Sequence, residues 1–254
     1  MAGLLVAGIT LAVVGIPLVI YRLRLVLDPK RSRPLRQNRR DADQPTHLLI
    51  VLGSGGHTAE MIAMLERSVT EKEDTRRLDW RDYNHRTWVV GAGDNISAQR
   101  AQELEKIAIS FAAKNRNAKE VSEIGAGKSV IVAVPRARAI HQSVFTAPLT
   151  SLRCMLACCM VLLNPRIDFP DLILCNGPAT ATILVFTTIM LRFFNVRGCN
   201  SKGKMRTIYI ESWARVKKLS LSGTLLSRIV DRFLVQWPQL ESVVGRAEYF
   251  GLLV

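Results

Sequence analysis

The stretch HLLIVLGSGGHTAEM, residues 47–61, decides the fold of this chain. It opens with a short apolar run at 47–52, which is typical of a strand buried on both faces of a sheet. Glycines at 53, 55 and 56 end the run, and from Thr58 onward apolar residues fall at helical spacing. A buried strand, a glycine turn and a helix are the opening unit of a parallel α/β sheet.

The alternation of strand and helix continues along the chain. Further strands are predicted at 87–90, 129–134, 172–175, 207–210 and 232–235, and helices at 58–67, 97–112, 143–163 and 178–194. This order predicts an α/β fold with a Rossmann-like, doubly wound parallel sheet.

The predicted helices at 143–163 and 178–194 are unusually apolar, and the first has a charged residue, Arg153, near its middle. Core helices packed on a sheet and helices inserted peripherally in a membrane share this pattern. We favour core packing for both helices, and peripheral insertion of 143–163 stays open as the alternative.

The chain has 254 residues, 48% of them hydrophobic, and a formal net charge of +14. This length suits one α/β domain with its own core. The positive charge favours anionic partners such as phosphorylated substrates or acidic lipids. We predict no nucleic-acid partner, because the sequence has no basic–aromatic alternation, zinc finger or RNA-recognition motif.

Five cysteines stand at irregular spacings and form no CxxC pair. An odd number without a regular pattern is not a disulfide framework and does not predict a zinc site. We therefore expect no metal ligands in this chain and a reducing, cytosolic environment for its main domain.

Residues 1–21 carry no charged side chain, and this length just suffices to cross the hydrocarbon core of a membrane. Basic residues follow the run from Arg22 to Arg40 and none precedes it, which is the reverse of a cleaved signal peptide. Because basic flanks stay cytosolic, we predict a transmembrane anchor at 1–21, a basic juxtamembrane linker at 22–45 and a cytosolic domain at 46–254.

The turn Gly53-Ser54-Gly55-Gly56 lies where open parallel sheets bind ligands, and its amides suit a phosphate or diphosphate. Thr58 breaks the dinucleotide-binding pattern, and the ending of a P-loop is missing. A tight turn without a ligand is the alternative.

His57 begins the helix and is a candidate general base or phosphate contact, although it could equally be a residue of the helix cap. Glu60, one turn further, could simply complement the helix dipole.

Five motifs stand in a fixed order along the chain: GSGGHTAEM at 53–61, CNGP at 175–178, IESWARV at 210–216 with LSLSG at 219–223, DRFLVQWP at 231–238, and AEYFGLLV at 247–254. Together they resemble the membrane-anchoring subunits of the UDP-N-acetylglucosamine transferase that adds the second sugar in the dolichol-linked oligosaccharide pathway. The resemblance covers nearly all of the chain after Thr46. One departure is Ala179, where a glycine is usual in the family.

The resemblance implies the N-terminal, acceptor-binding half of a split glycosyltransferase of the two-domain GT-B type, held at the endoplasmic reticulum membrane. A small soluble catalytic partner would bind the donor UDP-N-acetylglucosamine, and the acceptor would be lipid-linked. This chain by itself would bind no cofactor. The sequence does not decide whether the reaction needs a metal ion.

For catalysis, the resemblance and the residue types favour His57 as the base, with Glu211 as the second candidate. The acceptor diphosphate would lie on Gly53, Ser54, Gly55 and Gly56, with help from Asn176 and Arg215. The alternatives are that Glu211 only fixes its loop through Arg215, and that Asn176 only caps the following helix. The segment 237–254 would contact the catalytic partner or close the domain's own sheet.

Three other functions remain as rivals. They are a membrane-tethered nucleotide-binding oxidoreductase, a pure scaffold that recruits a transferase without touching substrate, and a self-sufficient transferase. The broken dinucleotide pattern argues against the first, and the length of the chain argues against the last.

Overall fold

The structure is a computed structural model that describes residues 11–28, 46–70, 83, 85–114, 127–138, 142–143, 145–177, 179–243, 245–251 and 253. Its helices are a π-helical turn at Leu11–Gly15, α1 (Ile16–Leu27), α2 (Gly56–Thr70), α3 (Asn95–Lys114), α4 (Ala147–Leu162), α5 (Thr180–Phe193), a short 3₁₀ turn at Val196–Gly198, α6 (Leu221–Leu226) and α7 (Pro238–Glu241). Its strands are β1 (His47–Val51), β2 (His85–Gly91), β3 (Lys128–Val134), β4 (Leu172–Asn176), β5 (Arg206–Ile210), β6 (Arg232–Val235) and β7 (Ala247–Tyr249).

In the described part of the chain, the strands form one parallel sheet in the order β3-β2-β1-β4-β5-β6-β7. The chain winds outward from β1 in one direction and from β4 in the other, which confirms the predicted doubly wound topology. The order therefore reverses between β1 and β4, and Val51 pairs with Cys175 there. Ligands of open α/β sheets bind at such a reversal, beyond the carboxyl ends of the strands.

Strand β1 is buried along its whole length because helices cover both faces of the sheet. Leu49 and Val51 pack in a core with α4 and α5, whereas Leu48 and Ile50 pack in a second core with α2 and α3. The alternation follows from the period of two residues in a strand. The apolar run in the sequence is continuous because both faces of β1 are covered by helices.

Helix α1 lies against the domain. Arg22 donates from Nε to the carbonyl oxygen of Phe193 at the end of α5 over 2.8 Å, and Val26 is fully buried in the core. The helix runs without a break through the expected boundary between residues 21 and 22. Neither α1 nor any other described helix combines the length and the apolar character that spanning a bilayer requires. Residues 1–10 of the predicted anchor and 29–45 of the predicted linker lie outside the described residues.

Two elements differ from the sequence-based prediction. Helix α5 begins at Thr180 rather than at position 178, and the residue before it, Ala179, has a positive φ of 49°. Strand β7 extends the sheet by pairing with β6, Phe233 opposite Ala247. The described part of the C-terminal segment therefore closes its own sheet, which was one of its two predicted roles.

Candidate functional site

Three loops meet at the carboxyl edge of the sheet because parallel strands end on the same side. The glycine turn follows β1, Asn176 ends β4, and Glu211 with Ser212 follows β5. These strands are neighbours at the reversal of the strand order. Most of the predicted site residues are thus brought to one place, where an open α/β sheet binds its ligand.

A chain of hydrogen bonds links four side chains of this edge. His57 Nδ1 lies 3.0 Å from Asn176 Oδ1, and Asn176 Nδ2 donates to Glu60 Oε2 over 3.1 Å. Ser212 Oγ donates to the other oxygen, Glu60 Oε1, over 2.6 Å. Since the amide nitrogen of Asn176 is committed to a carboxylate, its oxygen faces His57 and accepts, so His57 Nδ1 carries a proton.

This chain of hydrogen bonds through His57, Asn176, Glu60 and Ser212, which we call the relay, fixes the tautomer of His57. Among the residues that the structure describes, His57 Nε2 has no hydrogen-bond partner, and about a third of the side chain is exposed. Nε2 is therefore the atom that can take a proton from a bound molecule. The resulting imidazolium would be stabilised by Glu60, whose Oε2 lies 4.0 Å from Nδ1. The arrangement suits general base catalysis.

Two glycines make room for the imidazole. A Cβ at Gly53 would lie 2.7 Å from the Cβ of His57, and one at Gly177 would lie 3.1 Å from it. Gly177 also has a φ of +94°, which other residues rarely adopt. The close approach of the turns after β1 and β4 thus depends on residues without side chains.

The glycine turn itself leaves its backbone accessible. Ser54, Gly55 and Gly56 are exposed, and Gly55 has a φ of +62°. The buried side chain of Thr58 stabilises the turn. Its hydroxyl donates to the carbonyl oxygen of Gly53 and contacts Ser97 Oγ at 2.7 Å. Helix α2 begins at Gly56, so free amides and the positive end of the helix dipole meet at this turn.

Glu211 is buried, and both of its carboxylate oxygens accept hydrogen bonds from its own loop. It is 1% exposed, and its Oε2 accepts from the amide and the hydroxyl of Ser220 over 3.1 and 3.0 Å. Its Oε1 accepts from the amide of Ser212 over 3.1 Å. Ser220 in turn caps α6 by accepting from the amide of Gly223, where a Cβ would lie 1.9 Å from Glu211 Oε2. Glu211 thus fixes the loop after β5, and it does so through Ser220.

Arg215 lies on that loop and is exposed. Its amide donates to Ser212 over 3.0 Å, while its guanidinium makes no hydrogen bond or ion pair within the described part of the chain. Lys217 and Lys218 beside it are also exposed. The loop presents a cluster of cations at the same edge as the glycine turn, which favours an anionic ligand.

Tyr209 supports the floor of the site. Its hydroxyl donates to the carbonyl oxygen of Gly177 over 3.3 Å. Burial, together with the charge of Glu211, raises the pKa of Tyr209 well above its usual range. The side chain therefore stays neutral and keeps donating to the turn after β4.

The main residue that sequence reasoning underrated is Glu60. It is 7% exposed, and its carboxylate is a central member of the relay, so the helix dipole is an incomplete explanation for it. The available signal was its position next to the apolar Met61, on the face of α2 that packs on the sheet. A carboxylate at such a position needs hydrogen-bond partners, because carboxylates are rarely buried without them. Ser212 and Gly223 gave no comparable signal, since hydroxyls and glycines are common in loops.

The described part of the chain also contains a cavity of about 310 Å³ away from this edge. It lies between α4 and strands β2 and β3, and its lining includes His47, Thr87, Met160 and Pro170. No predicted site residue lines it. The four side chains of the relay therefore lie at the open carboxyl edge and not in this cavity.

Comparison with known proteins identifies the family. Residues 48–253 match the family model "Oligosaccharide biosynthesis protein Alg14 like". UDP-N-acetylglucosamine transferase subunit alg14 of Schizosaccharomyces pombe is 38% identical over 82% of this chain and 83% of that protein. The protein of the same name in Aspergillus fumigatus is also 38% identical, over 70% of this chain and 96% of the relative. The mouse protein is 31% identical over 93% of both chains.

No solved structure matches the chain. The family match covers the whole described domain from β1 to the C-terminal tail, and the relatives align over most of their own length. The chain therefore belongs to the Alg14-like family of oligosaccharide biosynthesis proteins.

Proposed function

We propose that this chain is the acceptor-binding, membrane-anchoring subunit of a heteromeric transferase that adds the second N-acetylglucosamine to dolichol-diphosphate-linked N-acetylglucosamine. The observation that carries the proposal is membership of the Alg14-like family, whose curated members are named as UDP-N-acetylglucosamine transferase subunits. The open carboxyl edge with its glycine turn and histidine relay supports it, because it offers an anion site next to a base.

In this proposal, His57 is the base. The acceptor sugar hydroxyl attacks the anomeric carbon of the donor, the bond between that carbon and the diphosphate of UDP breaks, and UDP leaves with the bonding electrons. The hydroxyl proton passes to His57 Nε2. Glu60, acting through Asn176, orients the imidazole and stabilises its positive charge.

The glycine turn and the cationic loop would hold the acceptor's diphosphate. Helix α2 begins at Gly56, so its first turn offers amides that lack partners within the helix, and Arg215 offers a guanidinium at the same edge. Glu211 takes a positioning role, because both of its oxygens are occupied by the loop that carries Arg215.

The remaining features of the proposal concern assembly. A small soluble catalytic subunit would supply the donor site, because one Rossmann-like sheet is half of a two-domain transferase. Residues 1–21 would attach the chain to the endoplasmic reticulum membrane with the domain on the cytosolic face. The uncharged N-terminal run and the basic residues after it support this orientation.

The proposal is tested by measuring transfer from UDP-N-acetylglucosamine to a lipid-diphosphate acceptor, with and without the catalytic subunit. We expect product only when both chains are present. Each rival predicts a different result. A scaffold keeps full activity after His57→Gln, a self-sufficient transferase needs no second chain, and an oxidoreductase binds a nicotinamide nucleotide and transfers no sugar.

A further inference from the structure

Helix α4 carries an apolar face that the sheet does not use. Its inner residues Cys154, Cys158 and Leu162 are buried in the core. The outer residues, between 48% and 73% exposed, are Leu149, Leu152, Leu156 and Met160. Their spacing of three and four residues places them in one row along the helix. We call these four residues the α4 stripe.

Helix α3 shows that packing on this sheet does not require such a face. It buries Ala101, Leu104 and Ala108 on the opposite side of the sheet. Its exposed residues include Gln99, Gln102, Glu103 and Lys106. Both helices pack on the sheet, but the outer face of α3 is mainly polar, with Ile96 and Ile109 as its exposed apolar residues in the described part of the helix, whereas α4 has a continuous apolar row. A row of exposed leucines is the pattern of a surface that contacts something apolar.

The charges around the α4 stripe favour anionic lipid. Helix α4 contains no acidic residue, and its one charged residue, Arg153, is exposed beside the stripe. Arg138 before the helix and Arg166 after it are exposed as well. Apolar residues flanked by arginines are typical of helices that lie in the membrane interface, where the guanidinium reaches the headgroups.

The stripe also belongs to a larger apolar layer. Helices α4 and α1 both pack on α5, and α1 exposes Leu18, Val19 and Leu23. Phe186 and Phe194 are exposed on and just after α5. Continued toward the N-terminus, α1 leads into the uncharged residues of 1–21. A surface that runs from the stripe to this segment fits a lipid bilayer better than a soluble protein.

From this combination we infer that the α4 stripe lies on the bilayer, so that α4 is a core helix on one side and an interfacial membrane helix on the other. The inference rests on the proposed function in one respect, which is that the lipid-borne acceptor resides in that same bilayer. The contact would hold the domain against the membrane. The acceptor diphosphate would then reach the glycine turn without leaving the headgroup region.

The test uses tryptophan as a depth probe. The full chain, assembled with its catalytic subunit, is reconstituted in vesicles that contain anionic lipid and lipids brominated on their acyl chains. Leu156→Trp places the probe on the α4 stripe, and Gln102→Trp places a matched probe on the exposed face of α3. The native tryptophans are common to both variants, so the difference in quenching reports the introduced indole.

We expect quenching of the introduced indole to be at least about twofold stronger for Leu156→Trp, because interfacial helices bury their apolar side chains in the headgroup–acyl boundary. Met160→Trp serves as a second probe if the first variant fails to fold. Equal quenching on α4 and α3 would overturn the inference. So would quenching that occurs for the full chain alone and is lost on assembly with the catalytic subunit, since the stripe would then be a protein interface. Quenching requires no sugar transfer, so intact quenching with no transfer would count against the proposed function alone.

Discussion

Two histidines lie at opposite ends of β1, His47 as its first residue and His57 in the helix that follows its carboxyl end, and their surroundings differ. His47, at the amino end, is 6% exposed, and both of its ring nitrogens are occupied, Nδ1 by the carbonyl oxygen of Asp168 and Nε2 by Thr87 Oγ1. His57, beyond the carboxyl end, is about a third exposed and has one nitrogen bonded to Asn176.

The difference distinguishes a histidine that is fixed in the core from one that is accessible to a ligand. A buried imidazole with two partners can neither approach a ligand nor take a proton without breaking a hydrogen bond. An imidazole that is fixed at one nitrogen and open at the other keeps its orientation and its reactivity together. The amino edge of the sheet therefore holds a fixed histidine, and the carboxyl edge holds the accessible histidine that we propose as the base.

The largest expected effect breaks the carboxyl edge. Replacing His57 with glutamine in the assembled complex removes the group that we propose takes the proton, so kcat should fall by roughly 10²- to 10⁴-fold. Co-purification shows whether the catalytic subunit is still recruited. His47→Gln is the matched control and should leave kcat nearly unchanged in folded protein. Equal losses of kcat in the two variants would remove the distinction between the two edges.

The burial of His47 at the amino edge should make the stability of the protein depend on pH. Burial lowers the pKa of His47 from 6.5 to about 4. Between these values the unfolded chain binds a proton that the folded chain does not. The free energy of unfolding is therefore highest, as far as His47 determines it, above pH 6.5, and it decreases as the pH falls toward 4. The contribution of this one group is about 3 kcal/mol.

Urea unfolding at pH 7 and pH 4 measures this term. Carboxylates titrate in the same range, so wild type is compared with His47→Gln, in which the loss of stability on acidification should be smaller. An identical loss in both proteins would show that His47 is not held neutral by the fold.

Glu60→Gln sharpens the chemical side of the comparison. The amide can still accept a hydrogen bond from Asn176, but it no longer stabilises the protonated imidazole, so we expect kcat to fall about 10- to 100-fold, as for other partners that orient a functional histidine. Glu66→Gln, on the exposed face of the same helix, should leave kcat unchanged. An unchanged kcat in folded Glu60→Gln protein would mean that Glu60 only supports the fold.

The smallest effect concerns strain at the carboxyl edge. Ala179 holds a φ of 49° just before α5, a backbone conformation that favours glycine. Ala179→Gly should therefore raise the free energy of unfolding by up to about 1 kcal/mol. Ala181→Gly, within the helix, should lower it by about the same amount. Chemical denaturation checks both signs, and destabilisation by both changes would show that position 179 is not strained.

Much of the fold follows from periodicity alone. The apolar runs of β1 and β4 and the helical spacing of α2 and α3 are long enough to be read without tertiary information. Strand β7 is not, because three half-buried residues carry too little pattern to distinguish a strand from a tail. The start of α5 also differs, since the turn at Ala179 overrides the preference for proline at the first helical position.

The site could be predicted in part. The glycine turn, His57 and Asn176 stand in motifs, and the topology brings them together. The roles of Glu60 and Glu211 could not be read from sequence, because the same residue type serves a helix dipole, a relay or a loop. Only burial and partners separate these uses.

The central claim is that the turn after β1 holds the diphosphate of the lipid-linked acceptor. It is tested most directly by the Kd of the assembled complex for a short-chain diphosphate acceptor in Gly55→Ala, compared with Gly93→Ala. Both glycines have positive φ and open space at Cβ, and Gly93 follows β2. We predict that Gly55→Ala raises Kd at least about tenfold, or 1.4 kcal/mol, while Gly93→Ala leaves it unchanged. Equal affinities in the two variants would contradict the account.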